Sequence, residues 1–217
     1  MKSNSNTGIQ KLACNALSVL ALALFCCGCG SPSMALEKYK TNLAAAKNPI
    51  GIFTLRTQNF YKPAYTPEVA SLEFIADNGH GNRTVAPARP FRQVDGQYLE
   101  YLISVELPPG SYKLNEIQGY AHGLLVQGHF KFPVKGHFYL TSGVSYLGHV
   151  DMVNRKRQAN EPRSGGLLPL IDQAVCGFSG GTFDVAISDQ SETELPAFIS
   201  AYPQLATVTV ATNVMQR

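Results

Sequence analysis

Between residues 98 and 107 the chain alternates, with Leu99, Tyr101, Ile103, Val105 and Leu107 on one side and Tyr98, Glu100, Leu102, Ser104 and Glu106 on the other. A period of two sends successive side chains to opposite faces, so this run predicts a half-buried strand. Pro108-Pro109-Gly110 then forces a turn, because proline fixes φ and glycine reaches conformations that other residues avoid. Tyr112 and Leu114 resume the alternation, which makes the pair a hairpin or a strand corner. The same period recurs at Phe130, Phe132 and Val134; at Phe138 and Leu140; at Val144, Tyr146 and Val150; and at Phe183, Val185 and Ile187. Ser142-Gly143 reads as a tight turn between two of these runs. Weaker candidates lie at 50–57, 69–76 and 206–211. About eight or nine short strands with turn signals between them predict a mainly β fold, an antiparallel sandwich or barrel, and the expected form is an immunoglobulin-like β-sandwich.

One helix interrupts this pattern. Leu195, Phe198, Ile199 and Tyr202 stand at i, i+3, i+4 and i+7, a single apolar stripe that predicts a short helix near 191–202. Ser191 with Glu194 three residues on reads as a capping box, and Pro203 closes the run. Pro196 fits only near the first turn, since further in it removes a hydrogen bond. Residues 77–96 and 153–166, rich in Gly, Asn, Arg and Pro, read as long surface loops.

The N-terminal region has a different grammar. Lys2 and Lys11 precede an apolar run of 14 residues from Leu12 to Phe25, followed by Cys26-Cys27-Gly28-Cys29-Gly30-Ser31. The run is short for a bilayer span and has the layout of an export signal. The Gly28-Cys29 junction resembles a bacterial lipobox, although Cys26 and Cys27 stand where that motif carries Leu and a small residue. The resemblance implies cleavage before Cys29, diacylation of its thiol, and a mature protein held on a membrane by lipid. Gly30 stands where the sorting rule for inner-membrane retention wants Asp, which implies the outer membrane. The competing reading is cleavage after Ala35, at the small-x-small string Ser33-Met34-Ala35, which would release a soluble periplasmic protein. The expected organisation is therefore a lipoprotein signal peptide at 1–28, a lipidated cysteine and tether at 29–49, and the β-sandwich at 50–217. The tether, polar and Ala-rich, would reach roughly 65–70 Å if its residues from Gly30 to Pro49 were fully extended.

Composition narrows the function classes. Loss of Lys2 and Lys11 takes the 18 basic residues of the chain to 16, against 15 acidic ones. So balanced a charge gives no reason to expect a nucleic-acid partner. Of the five cysteines, Cys14, Cys26, Cys27 and Cys29 lie in the signal or at its junction, leaving Cys176 alone in the domain. It reads as a small buried hydrophobe rather than part of a disulfide framework.

The phrase VELPPGSYKLNEI at 105–117, with FKFPV at 130–134 and FYLTSGVSYLGHVDM at 138–152, resembles a pattern of uncharacterised proteobacterial lipoproteins. Their domain is similar to transthyretin-like or carboxypeptidase-regulatory-like β-sandwiches. The resemblance covers about residues 100 to 151. It implies architecture, and no catalytic or binding residue carries over from it.

Several constellations invite a chemical reading. Gly177-Phe178-Ser179-Gly180-Gly181 matches the G-x-S-x-G string of serine hydrolases. A nucleophile elbow needs a strand before the serine, a helix after it, and a histidine downstream. Here a strand-like run follows, and the last histidine is His149, so the string reads as a Gly-rich turn entering a strand. It is also similar to the G-D-S-G-G string of serine proteases, but Phe178 replaces the aspartate. His80, His122, His129, His137 and His149 show no metal-ligand spacing, so neither metal nor cofactor is expected. His129 is expected to face solvent, and His137 and His149 to sit at or near strand ends. Arg155, Lys156, Arg157 and Arg163 form a basic loop that offers a contact for polyanions such as lipid or lipopolysaccharide phosphates, or is simply solvated. Tyr98, Tyr101, Tyr112, Tyr120, Tyr139 and Tyr146 offer an aromatic binding face, or serve as strand residues with one wet end. The expectation is a non-enzymatic, lipid-anchored interaction or scaffold module of the bacterial cell envelope, with an envelope protein as partner. The alternatives are an envelope hydrolase or thiol enzyme using Ser179 or Cys176, and a small-ligand carrier. No motif specifies an oligomeric state.

Overall fold

The computed structural model describes residues 34–37, 43, 46–79, 81–87, 89–94 and 97–217. The signal segment and Cys29 lie outside them. Ten strands are formed among the described residues: β1 Ile50–Asn59, β2 Glu68–Ala76, β3 Asn82–Val85, β4 Arg92–Val94, β5 Tyr98–Glu106, β6 Gly110–His122, β7 Gln127–Leu140, β8 Val144–Lys156, β9 Gly181–Ser188 and β10 Val210–Thr212. They make two facing sheets, a β-sandwich. One runs β10-β8-β1-β5-β4, with β9 sharing the outer edge of β8; the other runs β3-β2-β6-β7. Pairing is antiparallel except for β1 with β8 and β8 with β10, which are parallel.

Of the two readings of the Pro108-Pro109-Gly110 turn, the strand corner is the one formed, and the tight turn at Ser142-Gly143 is a corner as well. Pro108 and Pro109 carry the chain from β5 in the first sheet to β6 in the second, and Ser142-Gly143 carries it back from β7 to β8. Gly143 sits at φ +66°, open to glycine without strain. The expected loop at 77–96 contains β3 and β4, and the expected loop at 153–166 begins only after β8 ends at Lys156.

Between the sheets, Phe53, Leu55, Leu72, Phe74, Ile103, Leu114, Ile117, Phe130 and Val134 form the main core. A second core lies on the outer face of the first sheet. There Ile50, Ile52, Leu102, Val144 and Tyr146 pack beneath Phe198, Tyr202, Leu205 and Leu36. This covering layer explains why β5, expected to be half-buried, is buried on both faces, with Leu102 and Ser104 inside as well.

The covering layer is helix α2, Ser191–Ala201, followed by a 3-10 turn at Pro203–Thr207; a shorter helix, α1, spans Leu170–Val175. The predicted apolar stripe is half right, since Phe198 and Tyr202 are buried while Ile199 is exposed. The capping box is not formed. Gln190 is the N-cap residue without a side-chain bond, and Asp189 instead accepts the Ser191 N–H at 2.9 Å. Pro196 lies past the first turn, and the carbonyl it deprives of a helical donor belongs to solvent-facing Glu192.

Two segments bridge the sheets on the side where β7 faces β8 and β9. A strap at 163–166 links Ser164 N–H to the Gly181 carbonyl and the Ser164 carbonyl to Lys131 N–H, while Gly165 N–H reaches the Phe178 carbonyl. The C-terminal tail links Met215 N–H to Leu147 and exchanges both backbone bonds between Gln216 and His137. Beyond the far edge of the first sheet, Ala35 N–H donates to the Ser104 carbonyl at 3.1 Å and Leu36 N–H to Ser104 Oγ at 2.8 Å. Part of the stretch expected to be a tether is thus built into the fold.

Candidate functional site

Ser179 lies in a turn that leads into β9, as the glycine-rich string predicts. Its N–H donates to the Gln173 carbonyl at 3.2 Å and its carbonyl accepts from Arg163. His149 stands opposite Ser188 while Gly181 stands opposite Lys156, seven strand positions away. That is about 23 Å along the strand, so the nearest strand histidine in sequence cannot serve Ser179 as a base. Cys176, at the end of α1, is fully buried and its Sγ donates to the Ala121 carbonyl at 3.4 Å. Burial pushes the thiol up, against formation of a thiolate.

The remaining histidines do not converge. His80 lies outside the described residues, His129 faces solvent, and His122 and His137 are exposed beside Glu68 and Asp77. No three metal-ligating side chains come together among the described residues. The tyrosines also separate: Tyr101 and Tyr112 belong to the main core, Tyr146 to the outer core, and Tyr139 is exposed.

The basic loop is partly consumed by its own carboxylates. Arg155 makes paired bonds to Glu161, at 2.8 and 2.7 Å, and to Asp184, at 2.7 and 2.9 Å. Arg157 donates to the Glu161 carbonyl and Arg163 to that of Ser179. Arg155 therefore pins the loop to β9, and Lys156 is exposed.

The polar cluster that the sequence reading misses is Tyr146, Glu194 and His149. Tyr146 Oη donates to Glu194 Oε2 at 2.6 Å, and His149 Nδ1 lies 2.5 Å from Glu194 Oε1. The His149 and Glu194 side chains keep only 4% and 10% of their surface. Strict alternation would put Tyr146 and His149 on opposite faces of β8. A bulge brings them together: the pairing with β1 shifts between Ile52 and Thr54, and Gly148 takes up the extra residue at φ +110°. Leu147 and Val150 still point into the main core while Tyr146 and His149 both meet α2. The signal that finds this bulge is the lone glycine in an otherwise apolar strand. Burial, and then the hydrogen bond to Glu194, raise the Tyr146 pKa, so the phenol stays neutral and donates. Glu194, placed for a cap in the sequence, instead clamps α2 to the sheet. Sealed under the helix, the trio is out of reach of a substrate, and its chemistry is that of a latch.

No helix among the described residues is long and apolar enough to cross a membrane. No family model, curated protein or solved structure matches the chain.

Proposed function

We propose that this is a lipid-anchored protein of the bacterial cell envelope, held through Cys29 and acting as a non-enzymatic interaction or scaffold module. The observation that carries the reading is the docking of residues 34–36 on β5. Cleavage after Ala35 would create a charged α-ammonium at Leu36, which is 2% exposed and whose N–H is already given to Ser104 Oγ. It would also remove the Ala35 bond to the Ser104 carbonyl. Cleavage before Cys29 leaves both bonds intact and only Gly30 to Ser33 between the acylated cysteine and the fold. Those residues extend at most about 14 Å, which keeps the sandwich close to the membrane that holds it. The non-enzymatic part of the reading is supported by the structural duties of Ser179 and Cys176 described above.

Intact mass of the protein isolated from membranes tests the anchor. The expected species begins at Cys29 and carries acyl chains, and Cys29→Ser is expected to lose them. A mature protein beginning at Leu36 would refute the anchor. Crosslinking in living cells tests the module, with one recurrent envelope neighbour expected.

A further inference from the structure

The outer face of the second sheet carries rows of side chains in register across its strands. Glu68, Tyr120 and His129 stand opposite one another on β2, β6 and β7, and Ser71, Gln118 and Lys131 form the next row. Two grooves meet on these rows. One, of about 490 Å³, runs between them and the segment after the strap, with Leu168 and Gln173 in its wall. The other, of about 530 Å³, lies between Tyr120, the β6–β7 hairpin and Asp172. Tyr120 lines both, and the His122 ring lies beside it, with centroids 6.0 Å apart and planes at 38°. Each groove has the volume of a small-ligand site, and the shared tyrosine joins them into one site for an extended ligand.

The charged groups of this site are already engaged. Lys131 Nζ is 2.9 Å from Glu116 Oε1, His122 Nδ1 is 3.1 Å from Glu68 Oε1, and Asp172 Oδ2 accepts the Gln127 N–H at 3.2 Å. With Lys131 in one groove and Asp172 in the other, a ligand of either charge meets repulsion in half of the site. What remains for recognition is a phenol ring, two imidazoles and the amides of Gln118 and Gln173. Gln173 is 2% exposed, its Oε1 has no hydrogen-bond partner, and its Nε2 reaches the Leu168 carbonyl only at 3.5 Å. A buried acceptor without a donor is costly, so the wall of the first groove favours a ligand that brings one. A hydroxyl suits all of these groups, because it donates to an amide oxygen and accepts from an amide or imidazole N–H. A sugar ring adds a face of C–H groups, which packs on Tyr120 and against Leu168.

We propose that the two grooves form one binding site for a neutral saccharide chain, with one ring seated on Tyr120 and its hydroxyls taken by Gln118, His129 and Gln173. The site lies where β6 ends, whereas residues 34–36 dock at Ser104, close to the corner where β6 begins, so the anchor does not obstruct it.

The full chain in detergent is applied to an array of immobilised neutral oligosaccharides, and the strongest binder is titrated in solution. Saturable binding is the expected result. Tyr120→Ala should raise its Kd about tenfold and Gln118→Ala about fivefold. Equal urea midpoints for the variants and the wild type separate a lost contact from a lost fold. Tyr139→Ala removes an exposed ring farther along the same face of β7 and should leave the Kd unchanged. Failure to bind any glycan on the array would overturn the inference, as would a Kd that Tyr120→Ala leaves unchanged or that Tyr139→Ala raises equally. Tighter binding of a lysine-rich peptide than of any glycan, weakened by the same Tyr120→Ala, would overturn it in favour of a cationic partner. Cys29→Ser leaves the grooves intact and should bind the glycan as the wild type does, so a failure of the anchor and a failure of this site give different results.

Discussion

Replacing Gly148 by alanine would put a Cβ 3.0 Å from Val214 Cγ1 and 3.1 Å from the Ser188 carbonyl, at a φ of +110°. The close contacts and the strained backbone act together, so Gly148→Ala is expected to lower stability by about 2 kcal/mol in a urea titration. The bulge it supports places His149 under α2, and the second substitution to make is at the carboxylate itself. Glu194→Ala strands the Tyr146 hydroxyl and leaves His149 Nδ1 without its partner in a sealed site. A loss of about 3 kcal/mol is expected, measured the same way. Glu194→Gln keeps a carbonyl for Tyr146 and should recover part of that loss. If both variants unfold at the wild-type midpoint, the trio is no latch. Residue-level chemistry was only partly legible in the sequence. Cys176 as a buried thiol and Ser179 as a turn residue followed from their neighbours. The Glu194 assignment failed because a three-residue spacing from Ser191 also suits a side chain that turns inward to a partner 45 positions away.

Among the elements, the loop at 157–166, which includes the strap at 163–166, is held most visibly by charge. Arg155, with help from the Gln158 N–H, holds the Glu161 carboxyl down to about 2, below its ordinary value near 4.5. A carboxyl lowered in the folded state contributes stability that is fully present above its unfolded value and is lost as pH falls through the folded one. Ordering of this loop should therefore be complete at pH 5 and above and decline toward pH 2. Limited proteolysis at 157–166 across that range measures it. Glu161→Gln should make the loop cleavable already at pH 5; equal resistance of the variant and the wild type would show that Arg155 and Asp184 suffice. Elements with a strict period were legible from sequence, as at β5, β7 and β9. Those that depend on partners were not. The predicted loop at 77–96 holds β3 and β4, with four and three residues, and only cross-strand bonding to β2 and β5 defines them. Helix α1 has no side-chain cap and was invisible for the same reason.

For the whole molecule, the alternating pattern demands that each inward face meet another, which a sandwich or a barrel would satisfy, and the two separate sheets make it a sandwich. It does not specify the order of strands, since any strand with an apolar face satisfies that demand. The third layer was legible only as a helix, and its seat became clear once Ile52, Leu102 and Tyr146 were seen on the outer face of the first sheet. The exposed leucines at 124–125 and 167–170 escaped the sequence reading because leucines look like core residues until topology places them in the connections after β6 and β8. That topology also sets the order in which the chain can acquire its shape. Strand β1 pairs with β5 about 50 residues later and with β8 about 95 residues later, and Gln216 closes onto β7. The central strand therefore stays unpaired on one side until β8 has emerged, and the bridge to β7 waits for Gln216. Such long-range closure makes folding slow and late, which leaves the chain unfolded for longer while it is being synthesised.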